Sequence, residues 1–129
     1  MSETICADSM YEAIKKNELL CGYHFVEGDE TLKEDLVLYI ETKGHKNYFH
    51  LTDGRMLSIY RKLDELEVDF SGRDFLRCHQ SFLVNMQYIE KISSYVLTLE
   101  NGEQLSVQKA RYKEVKKRFL AYQNEDVLP

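Results

Sequence analysis

The sequence has few of the features that disulfide, zinc and membrane proteins require. Its three cysteines, Cys6, Cys21 and Cys78, are an odd number without CxxC spacing, which argues against a zinc site or disulfide framework and favours reduced thiols. The longest apolar runs, such as 37–40, are only a few residues long, so we expect no membrane span. The first residues lack a basic segment followed by an apolar stretch, so we expect no secretory signal and a cytoplasmic protein.

Motifs that carry catalysis or hold cofactors are also missing. None of the six glycines stands in a GxGxxG or GxxxxGK[ST] arrangement, and the four histidines show no close ligand spacing. Cys78 and His79 are neighbours and would point to opposite faces of a strand, which spoils a nucleophile–base pair unless the backbone turns between them. We therefore expect no enzyme, no metal and no cofactor. A redox switch at Cys78 is the less favoured alternative to ordinary packing.

What the sequence does contain suits one small domain with an uneven distribution of charge. Its 129 residues are 43% hydrophobic and 30% charged, a normal balance for a single globular core. The net charge is −5, yet residues 75–122 hold eight lysines and arginines against four acidic residues. That part of the chain can present a basic face, which permits a polyanionic partner without proving one.

Hydrophobic periodicity and turn signals predict a mostly β domain of seven or so short strands with two or three small helices. The expected strands include residues 23–26, 37–41, 48–51 and 56–60. A capping-box pattern at Ser9 and Glu12 predicts a helix through about Leu20. A second short helix is expected over 61–67. The last is expected over about 109–122, with an inner stripe at Tyr112, Val115, Phe119 and Tyr122.

Residues 94–108 predict a hairpin around an Asn-Gly pair. A two-residue loop would set Leu97 opposite Ser106 and mix the two faces of the hairpin. A three-residue loop, 100–102, sets Leu97 opposite Leu105 instead. Because register follows the buried face, we prefer the longer loop.

The most distinctive stretch is FLRCHQSFLVNMQYIEKI, residues 75–92, in which the polar cluster 77–81 interrupts an apolar run that resumes at once. A catalytic constellation, a metal site and a nucleic-acid contact loop can each have this pattern. Asn85 is expected to be structural, because its amide can tie down the turn after the cluster. His24 and His50 are expected to be scaffold residues.

Three segments make the chain resemble the LytTR DNA-binding domain, the output module of many bacterial response regulators in two-component systems. They are LVLYIETKGHKNYFHL (36–51), FLRCHQSFLVNMQYIEKI (75–92) and LENGEQLSVQKARYKEVKKRF (99–119). The middle segment is similar to the family's hallmark, F-x-R-x-H-x-S-x-x-V-N. The resemblance covers about Tyr23 to Phe119, which is most of the chain.

The resemblance implies a LytTR-type fold of about ten mainly antiparallel strands in three small sheets, with short N-terminal, mid-chain and C-terminal helices. It also implies three parts. Residues 1–21 would be a helical extension or linker, residues 22–122 the DNA-binding domain and residues 123–129 a flexible tail.

The function implied by the resemblance is sequence-specific binding to double-stranded DNA, by loops instead of a recognition helix. Family members bind repeated sites as homodimers, and a receiver domain or a regulatory protein is implied as a further partner. The expected base contacts are His45, Gln80, Gln108 and Lys109. The expected phosphate contacts are Lys43, Lys46, Arg77, Ser81, Ser106 and Arg111. These assignments require loop tips around 45, 80 and 108 that lie along one side of the molecule.

A second hypothesis stays open, because many family members carry arginine or asparagine at the place of residue 80 and often arginine at or near residue 108, whereas this chain has a neutral glutamine at both. The neutral side chains and the net charge of −5 also suit a protein-interaction module, a partner or antagonist of another LytTR regulator. A third and weaker hypothesis is an effector-sensing domain, which a large apolar pocket would support.

Overall fold

The computed structural model describes residues 19–125, and the side chains of residues 22–124. Within this range ten strands form three antiparallel sheets, and a helix closes the fold. The strands are β1 (Leu19–Phe25), β2 (Gly28–Lys33), β3 (Val37–Lys43), β4 (Lys46–Leu51), β5 (Met56–Ile59), β6 (Phe75–His79), β7 (Phe82–Asn85), β8 (Ile89–Ser93), β9 (Val96–Leu99) and β10 (Gln104–Ser106). The α-helices are α1 (Leu63–Asp69) and α2 (Tyr112–Glu125). Single 3-10 turns occupy Glu34–Leu36, Met86–Tyr88 and Lys109–Arg111.

Both ends of the described chain differ from the expected boundaries. Residues 9–18 of the expected N-terminal helix lie outside the described residues, whereas Leu19 and Leu20 belong to β1. At the other end α2 continues through Glu125, so the first residues of the expected tail are helical.

The central sheet has five strands in the order β5-β4-β3-β7-β6, flanked by the pair β1-β2 and by the three-stranded sheet β10-β9-β8. Side chains on β3 divide between two cores, and a register irregularity between residues 37 and 39 interrupts the strict alternation of the strand. Ile40 packs with Phe49 and with residues of β1, β2 and α1. Its neighbour Tyr39 packs instead with Leu76 and Val84, and with residues of β9, β10 and α2. The central sheet is therefore covered on both faces.

The hairpin between β9 and β10 has the predicted register. Leu97 lies opposite Leu105, and the N–H of Leu99 donates to the carbonyl of Glu103 at 2.8 Å across a loop of residues 100–102. Gly102 has φ +93°, a conformation that favours glycine. The hydroxyl of Tyr39 donates to a carboxylate oxygen of Glu103 at 2.8 Å, which joins this hairpin to the central sheet.

Asn85 is structural, as predicted, and it joins more of the chain than the adjacent turn. Its side chain is fully buried at the end of β7. The amide nitrogen donates to the carbonyls of Glu34 and Val37 at 3.3 and 3.0 Å, and the amide oxygen accepts from the N–H of Gln87 at 3.0 Å. One side chain therefore satisfies backbone groups of two 3-10 turns and of β3.

The predicted inner stripe of the last helix is confirmed. Val115 and Phe119 are buried, and Tyr112 and Tyr122 pack partly buried against the same core. In the part of the chain that the structure describes, no helix combines the length and apolar character needed to cross a membrane.

Candidate nucleic-acid interface

The first expected contact loop is the tight turn between β3 and β4. Lys43 and Lys46 face each other across the turn, and Gly44 adopts φ +63°, in the left-handed region. His45 is exposed at the tip. The ammonium nitrogen of Lys46 lies 5.5 Å from the centre of the Tyr60 ring. This loop therefore presents an imidazole between two cationic side chains.

The second expected loop is the turn from β6 to β7. Gln80 is exposed at its tip, between the half-buried residues His79 and Ser81. The backbone N–H of Ser81 donates to Nδ1 of His79 at 3.0 Å, so this ring nitrogen is an acceptor and faces the protein. The His79 ring also packs 5.4 Å from that of Phe82. His79 shapes the turn, and Gln80 is the side chain left at its exposed tip.

Arg77 lies beneath this second turn, which corrects the expectation that it contacts phosphate. Its side chain is only 8% exposed. The guanidinium donates to the carbonyls of His79 and Gln80 at 2.9 and 2.6 Å. It also donates to carboxylate oxygens of Asp64 and Glu67 at 2.9 and 2.8 Å. Because these donors are already engaged and buried, Arg77 holds the turn in place from inside the protein.

The third expected loop leads from β10 into α2, and it is attached to the end of β6. The backbone N–H of Gln108 donates to the carbonyl of Cys78 at 2.9 Å. The amide oxygen of Gln108 accepts from Nε of Arg111 at 2.7 Å. Lys109 is exposed, as is Ser106, whereas Gln108 and Arg111 are half-buried. This loop therefore lies beside the strand end that carries the second loop.

The structure brings the first two loops to a common groove of about 440 Å³. His45 and Gln80 both line it, and the backbone N–H of Thr42 donates to the carbonyl of Ser81 at 2.9 Å. Together with the bond from Gln108 to Cys78, these contacts make the three loops neighbours. This adjacency is compatible with the sequence hypothesis, and the alignment of the tips around 45, 80 and 108 along one side of the molecule stays a prediction.

Two residues that line this groove, Tyr60 and Lys62, are not among the contact residues expected from the sequence. Tyr60 and Lys62 follow β5 and line the same groove, and Tyr60 is 68% exposed. The carbonyl between them, that of Arg61, accepts from the amide nitrogen of buried Asn47, which anchors the segment. The guanidinium of Arg61 is held by Asp69 at 2.8 Å. The signal was the run Tyr-Arg-Lys directly after a strand, since aromatic and basic side chains together suit a nucleic-acid surface.

Cys78 is packed in the core, in agreement with the reading that the sequence favoured. It is fully buried, and burial raises the pKa of its thiol to about 12. A neutral thiol in this environment is a poor nucleophile at physiological pH.

The two histidines expected to be scaffold residues differ in their surroundings. His50 stacks on Tyr39 with ring centres 4.2 Å apart, and its Nε2 lies 3.0 Å from a carboxylate oxygen of Glu41. His24 is exposed on β1, where its Nδ1 lies 2.9 Å from a carboxylate oxygen of Asp29. His50 is thus part of the packed scaffold, and His24 makes a surface contact within the β1–β2 hairpin.

Comparison with known proteins gives one consistent family. The model of the LytTr DNA-binding domain family matches residues 30–120. The chain is also similar to the LytTr DNA-binding domain of a response regulator from Bacillus cereus, whose structure is solved. The two structures agree with a TM-score of 0.65 at 25% sequence identity, over 79% of this chain and 96% of that one.

The chain is also similar in sequence to parts of three named bacterial regulatory proteins. Accessory gene regulator protein A of Staphylococcus epidermidis is 38% identical over 74 residues, covering 54% of this chain and 29% of that protein. Sensory transduction protein LytT of Bacillus subtilis is 32% identical over 87 residues, covering 63% of this chain and 35% of that protein. Transcriptional regulatory protein NatR of Bacillus subtilis is 30% identical over 64 residues, covering 50% and 27%. The matches thus span about a third or less of each relative.

Proposed function

Because the chain belongs to the LytTr DNA-binding domain family, we propose that it binds double-stranded DNA sequence-specifically as part of a bacterial transcription regulator. The observation that carries this proposal is the junction of three loops at one end of the central sheet. His45 and Gln80 stand exposed on one groove, and Gln108 is bonded to the strand that leads to Gln80. Because rigid strands position side chains more precisely than loops do, the strand ends and backbone bonds that anchor these three loops support their use as a recognition surface.

The proposed base contacts are His45, Gln80, Gln108 and Lys109. An imidazole or a carboxamide can donate to or accept from base edges in the major groove, and glutamine suits the N6 and N7 atoms of adenine. Each well-formed contact of this kind contributes about 1–3 kcal/mol of discrimination against a wrong base. Because the amide oxygen of Gln108 is held by Arg111, the amide nitrogen is the atom it would offer.

The proposed phosphate contacts are Lys43, Lys46, Ser81, Ser106 and Arg111. Cationic side chains on phosphates give affinity without sequence choice, and that affinity falls as the salt concentration rises. We add Tyr60 and Lys62 to this surface, because they line the groove that His45 and Gln80 share. Arg77 contributes indirectly, since it fixes the carbonyls of the loop that carries Gln80.

A homodimer on repeated DNA sites, in the bacterial cytoplasm, is the proposed assembly. A symmetric or tandem pair of domains doubles the number of contacted bases, and it lets the spacing of sites contribute to specificity. Since the chain spans a third or less of its relatives, a receiver domain or a separate regulatory protein is the proposed source of control.

The proposal is tested by fluorescence anisotropy on duplexes selected from random sequence. The double variant His45→Ala/Gln80→Ala removes two proposed base contacts and should bind the selected duplex at least about tenfold more weakly. The matched control is His24→Ala/Gln87→Ala, which removes the same residue types from exposed positions on β1 and in the turn after β7. Equal loss of affinity in the two double variants would rule out the assigned loops. Absence of duplex binding by the unaltered protein at low salt would rule out the function.

A further inference from the structure

A second groove, of about 550 Å³, lies between β8 and α2 and shares no lining residue with the groove at the three loops. Its apolar side chains are Ile92, Phe119 and Leu120. Leu120 is 58% exposed and extends the apolar surface of Ile92 and Phe119 into solvent; a contiguous apolar patch of this kind, unlike a single exposed leucine, is typical of an interaction site. The groove is therefore apolar at its base and open to solvent.

Lysines dominate the rim of this groove. Its charged lining residues are Glu90, Lys91, Lys113, Lys116 and Lys117, so four cations face one carboxylate. The α2 residues 113, 116, 117 and 120 have helical spacing of three and four, and they form a stripe beside the one that packs in the core. The β8 side is open as well, because β8 is an edge strand of its described sheet.

We propose that the groove between β8 and α2 binds an acidic amphipathic helix of a partner protein. Apolar side chains on one face of such a helix would cover Leu120 and Ile92, and carboxylates at its margins would meet the lysines. This is the recognition mode in which a helix lays its apolar face into a hydrophobic groove, with charge complementarity setting the choice of partner.

Two other occupants fit the groove less well. DNA would meet the lysines, but it offers no apolar surface to cover Leu120. A second copy of this chain, joined about a two-fold axis through the groove, would place the same patch against itself and bring lysines against lysines. An acidic helix satisfies both features of the groove at once. Because the two grooves share no residue, DNA and this partner can bind the domain together.

The test uses a fluorescein-labelled synthetic peptide of about 20 residues, long enough to be helical in a complex. Leucines at positions i, i+3, i+4 and i+7 form its apolar face, and glutamates occupy the flanks. A scrambled peptide of the same composition, without the leucine stripe, is the control. Anisotropy should show saturable binding of the first peptide and at least about tenfold weaker binding of the second. Equal binding of the two peptides, or none, overturns the proposal.

Paired variants locate the site. Leu120→Asp should weaken peptide binding at least about tenfold, because it places a carboxylate among apolar contacts and acidic partners. Its control is Val68→Asp, at another exposed apolar helix position, which should leave binding unchanged. Lys117→Glu should weaken binding about fivefold, against no change for Lys33→Glu on β2.

The same variants distinguish the three possible occupants of the groove, which are an acidic helix, DNA and a second copy of this chain. Duplex affinity should be the same in Leu120→Asp and in the unaltered protein, with circular dichroism confirming that the variant is folded. If Leu120→Asp abolishes self-association in light scattering while the peptide fails to bind, the groove is an interface between copies. If duplex DNA displaces the peptide in competition, the lysine rim belongs to the DNA surface. Either result overturns the proposal.

Discussion

The backbone N–H of Gln108 donates to the carbonyl of Cys78 at 2.9 Å. This bond joins the loop that opens the last helix to the strand that ends at the second contact loop. The two residues are far apart in sequence, and the side chain of Cys78 is buried. The relative positions of the second and third loops are therefore fixed through the backbone, and the side chains at the loop tips take no part in this bond.

Proline at position 108 tests the role of this bond. Gln108→Pro removes the donor without backbone strain at that residue, since φ is already −63°. Gln108→Ala keeps the N–H and removes only the carboxamide. We expect the proline variant to unfold about 1 kcal/mol more easily than the alanine variant in urea, and to bind DNA more weakly. Equal stability and equal affinity of the two variants would show that the bond fixes nothing.

Arg77 and Lys46 should respond differently to substitution, because the Arg77 side chain is only 8% exposed and held by four hydrogen bonds, whereas Lys46 flanks the turn of the first contact loop. In Arg77→Lys a single ammonium cannot reach two carbonyls and two carboxylates. We expect a loss of about 2 kcal/mol in stability, with no change in the slope of log affinity against log salt. Lys46→Ala should reduce that slope by about 1 and change stability little. A reduced slope for Arg77→Lys would instead indicate that Arg77 contacts phosphate.

Asn85 should be among the residues most sensitive to truncation. Asn85→Ala removes three buried or part-buried hydrogen bonds to backbone groups, although the carbonyl of Glu34 keeps the N–H of Val37, and the loss should cost about 2–3 kcal/mol. Asn124→Ala, at an exposed position on α2, is the control and should change stability by less than about 0.5 kcal/mol. Urea denaturation at constant m-value measures both. A small effect at Asn85 would mean that water replaces its amide.

Cys78 should react only when the protein unfolds. Burial raises the pKa of its thiol to about 12 from the ordinary value of 9.0, so the native thiol stays neutral through pH 9 while the unfolded chain begins to ionise. Its contribution to stability is therefore full below pH 9 and falls between pH 9 and about 12. In a Cys6→Ser/Cys21→Ser background, iodoacetamide at pH 9 should label the unfolded protein fast and the native protein slowly. Rapid native labelling would instead support a redox role.

The sequence was sufficient to predict the structural features that depend on the pattern of apolar residues and motifs along the chain. The family and its ten-stranded fold were predicted and are confirmed. The register of Leu97 against Leu105 followed from the alternation of apolar residues around one hairpin. The inner stripe of α2 followed from helical spacing. The last two signals are each contained within about 20 residues of chain, whereas the ten strands were implied by the family resemblance over most of the chain and local periodicity alone predicted about seven.

The features that were missed depend on contacts between distant segments. Strand β2 was not predicted, because it is largely polar and Leu32 is its one buried residue. For Arg77 the sequence left a structural role and a phosphate contact both open, and only the fold reveals that α1 brings Asp64 and Glu67 against it. Tyr60 looked like the end of a strand, and only the fold places it in the groove that the first and second loops share.

DNA contact through the three loops is tested most directly by an amide chemical-shift map of the labelled protein titrated with its selected duplex. The largest chemical-shift changes should cluster at residues 43–46, 60–62, 79–81 and 106–111. The hairpin of residues 22–33 and the face of α2 that lines the β8–α2 groove should be unaffected. Changes concentrated on that hairpin or on residues 113–123, without changes in the three loops, would contradict the proposed DNA contacts.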